Sequence, residues 1–196
     1  MSTLVIATKN EGKYSEFKKM LGPTSFEIKS LQNFPNIEIR ETGSSFDENA
    51  LMKAKVVAKR VGLPAMADDS GLEVQALKGE PGIFTARYAG QHAADEDNIK
   101  KLLNKLRDVP SDQRQARFVC SLALVFPDGK IFLKKGILEG FITLKPRGTE
   151  GFGYDPVFFV PALGKTLSEV SADEKNRISH RAKALEKIKK HLFMYI

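Results

Sequence analysis

The chain contains no tryptophan and a single cysteine among its 196 residues. One thiol excludes a disulfide framework within the chain. That residue, Cys120, lies inside the apolar run Arg117-Phe118-Val119-Cys120-Ser121-Leu122-Ala123-Leu124-Val125-Phe126 and reads as a buried strand residue. The histidines are only His92, His180 and His191, too scattered for a zinc site. Long apolar runs are also missing. Leu4-Val5-Ile6-Ala7 is followed almost at once by Lys9, which is far too short for a signal h-region or a membrane span. No repeat, low-complexity tract or Pro/Ser-rich linker divides the chain. These absences leave a soluble cytoplasmic protein, without a membrane partner, as the expectation.

What is present is ordinary globular usage, 42% hydrophobic and 28% charged, enough for one substantial core or for two lobes sharing one. Lys+Arg number 31 against 24 Asp+Glu, a formal charge of +7 that favours anionic partners, whether nucleic acid or phosphorylated small molecules. Lys183, Lys187, Lys189 and Lys190 supply much of the excess and read as the solvated face of a terminal helix.

Strand and helix signals alternate along the chain. Ser2 to Thr8 and Phe26 to Leu31 read as strands, with a helix from Glu11 to Leu21 between them, ended by Gly22-Pro23. A second helix covers Ser45 to Val61, with Phe46, Ala50, Ala54, Val57 and Val61 on one stripe. A third runs from Asp95 to Leu106. Phe118 to Phe126 and Lys130 to Leu144 form a hairpin around Pro127-Asp128-Gly129. Val157 to Val160 is a short strand, and one last helix, starting between Ser171 and Ser179, places Ile178, Ala182, Leu185, Ile188 and Leu192 on its core face. The pattern predicts an α/β fold with a mixed central sheet flanked by helices, in two lobes with the active-site cleft between them, the second lobe spanning roughly 72–150 as an insertion in the first.

The densest chemistry is Asp68-Asp69, directly after Leu63-Pro64-Ala65-Met66-Ala67 and before Ser70-Gly71. In an extended backbone the two carboxylates point to opposite faces and serve different surfaces. The plainer reading is an Asx-type turn between two strands, with Asp68 forming the turn. Four further clusters sit at strand ends and helix starts, where such folds place ligands. Thr8-Lys9-Asn10-Glu11-Gly12-Lys13 is either a phosphate-binding helix start or a plain turn with a capping asparagine, and it lacks Walker A spacing. Glu41-Thr42-Gly43 precedes a helix on which Asn49 and Lys53, four residues apart, share a face that aims into a cleft or is merely solvated. Gly151-Phe152-Gly153-Tyr154-Asp155 offers close backbone approach and two flat rings for stacking a base, or a plain glycine turn. Lys175-Asn176-Arg177-Ile178-Ser179-His180-Arg181 opens the last helix with His180 and Arg181 off the apolar stripe, their donors free.

Taken in order and spacing, these clusters resemble the motifs of the inosine-triphosphate pyrophosphatase family, which hydrolyses non-standard purine nucleoside triphosphates. The resemblance covers nearly the whole chain, including Phe46-x-x-Asn49-Ala50, Gly82-x-x-x-Ala86-Arg87-Tyr88 and Phe158-Phe159-Val160-Pro161. One departure is Lys9, where many members carry glycine in a Thr-Gly-Asn sequence.

The resemblance implies a homodimeric, Mg²⁺-dependent hydrolase that cuts between the α- and β-phosphates of ITP, dITP or XTP, releasing the monophosphate and pyrophosphate and cleansing the nucleotide pool. It carries Asp69 over as general base and Glu41 with Asp69 as metal ligands, Asp68 being the alternative ligand. Lys13 and Lys53 would stabilise charge on the reacting phosphate, beside the Thr8 to Gly12 backbone and Ser70. Phe152, with Gly153 and Tyr154, would stack on the base. Lys175 and Asp155 would hold the purine edge, and Ser179, His180 and Arg181 would favour a 6-keto group over the adenine amine. Two rivals share features of this chain. One is a pyrophosphatase for pyrimidine or other modified nucleotides. The other is a nucleic-acid-binding module, disfavoured because the aromatic residues fall mostly in apolar strands rather than along a basic stripe.

Overall fold

The computed structural model describes residues 2–195. Its elements are β1 (Thr3–Ile6), α1 (Glu11–Leu21), β2 (Glu27–Ser30), α2 (Phe46–Val61), β3 (Ala65–Val74), α3 (Asp95–Lys105), β4 (Gln115–Val125), β5 (Ile131–Ile142), β6 (Phe158–Val160), β7 (Lys165–Thr166), α4 (Ala172–Ile178) and α5 (His180–Tyr195). The strands form one mixed seven-stranded sheet in the order β2-β1-β3-β4-β5-β6-β7, so the expected α/β class with a mixed central sheet is what forms. β1 pairs in parallel with β2 and with β3, Val5 lying opposite Ala65, whereas β5, β6 and β7 pair antiparallel. Among the described residues no helix is long and apolar enough to cross a membrane.

The chain divides into two compact units. The first comprises the chain up to Asp69, Cys120–Gly136 and the chain from His180 onward; the second comprises Ser70–Val119 and Ile137–Ser179.

In the first unit β1, the start of β3 and the end of β4 are buried on both faces, which is why they read as continuous apolar runs rather than alternations. Successive residues of β1 enter different cores. Leu4 and Ile6 join Phe17 and Leu21 of α1 and Leu185, Ile188 and Leu192 of α5, while Val5 and Ala7 join Ala50, Ala54 and Val57 of α2. β3 and β4 obey the same rule, with Met66, Cys120 and Leu122 on the α1/α5 side and Ala65, Ala67 and Ala123 on the α2 side. Cys120 is fully buried, as its apolar setting predicts.

Local signals position these helices. The Asn10 side chain caps α1 by accepting from the Lys13 amide at 2.9 Å. Ser45 caps α2 by accepting from the Glu48 amide, and Gly62 in the left-handed region ends it.

The second unit has one core, in which Ile99, Leu102 and Leu106 of the α3 segment pack with Leu72, Val74, Phe118, Leu138 and Phe158. Here β5 alternates, Leu138 and Ile142 buried and Glu139 exposed, as expected of an antiparallel strand covered on one face. Arg114 is buried by donating to the carbonyls of Leu106, Val109 and Thr143, which closes the end of α3.

Two sequence expectations are overturned. Asp68-Asp69-Ser70-Gly71 is not a turn: β3 runs straight through it to Val74, because both carboxylates find cations and the ladder need not break. The terminal helix is two helices, α4 ending at Ser179, whose extended backbone (φ −62°, ψ 159°) interrupts the helical phase. The stripe therefore shifts. On α5 the buried positions are His180, Arg181, Ala184, Leu185, Ile188 and Leu192, so Arg181 belongs to the inward face instead of lying beside it.

Candidate active site

In the first unit, the period-2 alternation of β3 fixes where its two aspartates point. Asp68 continues the face of Met66 toward α1 and α5, and Asp69 continues the face of Ala65 and Ala67 toward α2. On the first side, Lys13 Nζ lies 3.0 Å from Asp68 Oδ2, and Arg181 Nε lies 3.4 Å from the same oxygen. Arg181 Nη1 also reaches Glu16 Oε2 at 3.0 Å. On the second side, Lys53 Nζ lies 2.8 Å from Asp69 Oδ1 and 2.8 Å from Glu41 Oε1, and Asn49 Nδ2 donates to Asp69 Oδ2 at 3.3 Å.

Asn49 and Lys53 thus share a helix face, as their spacing predicts. They are buried, 2% and 7% exposed, which rules out the merely solvated reading. His180 and Arg181 are likewise 2% and 4% exposed, so the expectation of free donors at this point is wrong: the guanidinium is committed to two carboxylates. The first turn of α5 comes close to β5, where a Cβ on Gly136 would overlap the His180 carbonyl.

The two aspartates differ electrostatically. Burial acts to raise the Asp68 carboxyl, but the charges of Lys13, Arg181 and Lys53 overcome it and hold the group far below the ordinary carboxylate range. At Asp69 burial wins. Lys53 and Lys13 oppose the rise, Glu41 adds to it, and the carboxyl stays above its ordinary value. Burial works against the Lys53 ammonium, but Asp69, Asp68 and Glu41 keep its pKa above the usual lysine value.

Among the described residues no group of three or more His, Cys, Asp and Glu is arranged to hold a metal ion. The donor set nevertheless suits a hard divalent cation that takes one or two carboxylates and completes its shell from phosphate oxygens and water. Glu41 and Asp69 already share one cationic group, the Lys53 ammonium. In this network Lys13, Lys53 and Arg181 face one more carboxylate than their own number, Glu16, Glu41, Asp68 and Asp69, so an incoming polyphosphate needs added positive charge.

Thr8 to Gly12 lead into α1 as expected. Thr8 Oγ1 accepts from the Asn10 amide at 3.1 Å, Lys9 is exposed, and Glu11 accepts from Gln32. Asn10 is the capping asparagine of the plainer reading.

In the second unit, Asp155 and Lys175 form a buried ion pair. Asp155 Oδ2 also accepts from the Phe152 amide at 3.0 Å, and the Lys175 ammonium sits 4.5 Å from the Phe152 ring centroid. Gly151, at φ +82°, is required because a Cβ would run into the Asp155 carboxylate. Gly153 donates its amide to Asp95 at 2.6 Å. Tyr154 does not supply a second stacking face: it is 2% exposed, belongs to the core, and donates its hydroxyl to the Thr85 carbonyl at 3.0 Å. Ser70 is half-buried in β3, and buried Ser179 caps α4 through its amide on the Lys175 carbonyl at 2.9 Å.

Sequence reasoning passed over Glu16. Its signal was spacing, since a carboxylate three residues after Lys13 shares its helix face. The spacing of Asn49 and Lys53 places the carboxamide on the cleft-facing side of α2 but does not name its partners, Gly43 and Asp69.

Similarity to known proteins covers the whole of this arrangement. A protein of Halalkalibacterium halodurans that bears the name dITP/XTP pyrophosphatase is 50% identical over 193 residues, covering 98% of this chain and 100% of that protein. The structure of a HAM1 protein from Coxiella burnetii matches with a TM-score of 0.90 and 41% identity, over 99% of this chain and 100% of that one. The Ham1 protein of Staphylococcus aureus matches with a TM-score of 0.89 and 42% identity, over the full length of both chains. The model of the Ham1 family spans residues 4–191, from β1 to α5, and so takes in both carboxylates of β3, the α1 start, the glycine loop and the α4–α5 junction. By that match, and by relatives this similar over this much of its length, the chain belongs to the Ham1 family.

Proposed function

We propose that this protein hydrolyses non-standard purine nucleoside triphosphates, dITP, ITP and XTP, to the nucleoside monophosphate and pyrophosphate, with Mg²⁺ as its metal. The observation that carries the reading is the environment of Asp69, a nearly buried carboxylate held on one oxygen by Lys53 and on the other by Asn49, with its pKa raised. Relatives at half identity over 98% of the chain carry the name dITP/XTP pyrophosphatase. A carboxylate of raised pKa is the stronger general base, and general-base catalysis contributes on the order of 10²–10⁴ in rate.

In this reading Asp69 takes the proton of the attacking water. The water oxygen bonds to phosphorus as the bond of the α–β bridge breaks, and pyrophosphate leaves with the bridging oxygen. Glu41 and Asp69 hold the metal, which when bound neutralises charge on the phosphate oxygens. Asp68 is neither ligand nor base. Its carboxylate, committed to Lys13 and Arg181, fixes the positions of those cations. Lys13 and Lys53 stabilise the charge that develops on the phosphate, beside the Thr8 to Gly12 segment and Ser70. Phe152, with Lys175 and Asp155 beneath it, stacks on the purine. The protein works as a cytoplasmic homodimer, which sedimentation at working concentration tests.

The deciding experiment is pyrophosphate release across ITP, XTP, dITP, GTP and ATP, with and without Mg²⁺. Turnover of ATP at the rate of ITP, or full activity without a divalent metal, overturns the reading.

A further inference from the structure

We propose that Asn49 is a positioning residue of the hydrolytic site: its carboxamide ties the loop that carries Glu41 to the carboxylate of Asp69. The inference rests on the proposed function only where it concerns catalysis; the tie itself is structural.

Asn49 Oδ1 accepts from the Gly43 amide at 2.8 Å, and Asn49 Nδ2 donates to Asp69 Oδ2 at 3.3 Å. The partners dictate this orientation, because a backbone N–H can only donate and an ionised carboxylate can only accept. One turn further along α2, Lys53 makes the parallel connection, from Glu41 Oε1 to Asp69 Oδ1. The result is a closed ring, Glu41, Gly43, Asn49, Asp69 and Lys53, in which each oxygen of the Asp69 carboxylate has its own donor from α2. No other side chain of this size joins an acceptor and a donor on one rigid plane. An ionised aspartate cannot donate, leucine does neither, and glutamine is a methylene too long.

A second observation agrees. A Cβ on Gly43 would lie 2.6 Å from Asn49 Oδ1 and 2.8 Å from Glu48 Cβ, so the loop can press against Asn49 only with glycine there. Helix capping does not account for the arrangement. Ser45 and Glu48 already satisfy the start of α2 through the Glu48 and Ser44 amides, whereas the bond to Asp69 has no part in a cap.

The test compares Asn49→Leu and Asn49→Asp with wild type in the full-length protein. Exchange of the Gly43 amide is followed by NMR, and kcat and KM for dITP hydrolysis are measured at saturating Mg²⁺. Asn49→Leu, which loses both bonds, is expected to speed Gly43 exchange by at least about tenfold and to lower kcat by about 10–100-fold while KM moves by less than about threefold. Asn49→Asp retains the acceptor, so Gly43 stays protected, yet kcat falls comparably because the donor to Asp69 is gone. Wild-type kcat in Asn49→Asp, or unchanged Gly43 exchange in a folded Asn49→Leu, overturns the proposal. If Asn49→Leu does not fold, Asn49→Asp decides alone. Failure of wild type to hydrolyse dITP would instead strike at the functional reading, and Gly43 exchange would still settle whether the tie exists.

Discussion

Asp68 and Asp69 are neighbours in one strand whose carboxylates bind cations from opposite sides of the sheet, Asp68 to Lys13 of α1 at 3.0 Å and Asp69 to Lys53 of α2 at 2.8 Å. Their chemistry diverges for that reason. Asp68 is held ionised by two cations that both touch one oxygen, whereas Asp69 is buried beside a second carboxylate and is the better proton acceptor.

Replacing the acceptor should show this first. Asp69→Asn keeps shape and burial but cannot take the proton, so dITP hydrolysis should fall by about 10²-fold or more with little change in thermal midpoint. Near wild-type pyrophosphate release would assign the base elsewhere.

Asp68→Asn should instead act on stability. It strands Lys13 and removes one of two carboxylates from Arg181, at a cost of about 3 kcal/mol in chemical denaturation near neutral pH. The sign with pH follows from a depressed carboxyl. Its contribution is complete above the unfolded value of 3.8 and is lost as pH falls toward the lower folded value, so wild type and variant should converge in acid. A constant gap down to the acid transition would contradict it.

The activity of wild type should fall on the acid side at a pH above that of an ordinary aspartate, whose pKa is 3.8, because burial raises Asp69. The pH profile of kcat/KM measures this, and an acid limb below that value would place the essential base on another group.

The two aromatic residues of the glycine loop should separate. Phe152→Ala removes the stacking face and should raise KM by about tenfold or more, with kcat nearly unchanged. Tyr154→Phe removes only the hydroxyl bonded to the Thr85 carbonyl and should cost about 1 kcal/mol of stability without altering kinetics. Equal kinetic effects would mean that burial misassigns Tyr154.

Much of the fold is written in local signals. The α1 boundaries, the Ser45 cap and Gly62 stop of α2, and the hairpin of β4 and β5 each follow from residues close in sequence. Elements failed to show where a long-range partner overrides local preference. Asp-Asp-Ser-Gly has turn composition and becomes strand because Lys13, Lys53 and Arg181 satisfy carboxylates that would otherwise break the ladder. Ser179 splits the last helix, which moves Arg181 from the outside of one apparent stripe to the inside of the actual one.

The alternation of a strand was enough to say that Asp68 and Asp69 face different surfaces, since that depends only on backbone geometry. Motif order was enough to point to a nucleotide pyrophosphatase. Which cations meet which carboxylate was not readable, because Arg181 reaches Asp68 across 113 residues of chain and Asn49 reaches Asp69 across 20. Those meetings are set by helices packing on the two faces of the sheet. Packing locks Asp68 between two cations and leaves Asp69, also buried, with its pKa raised.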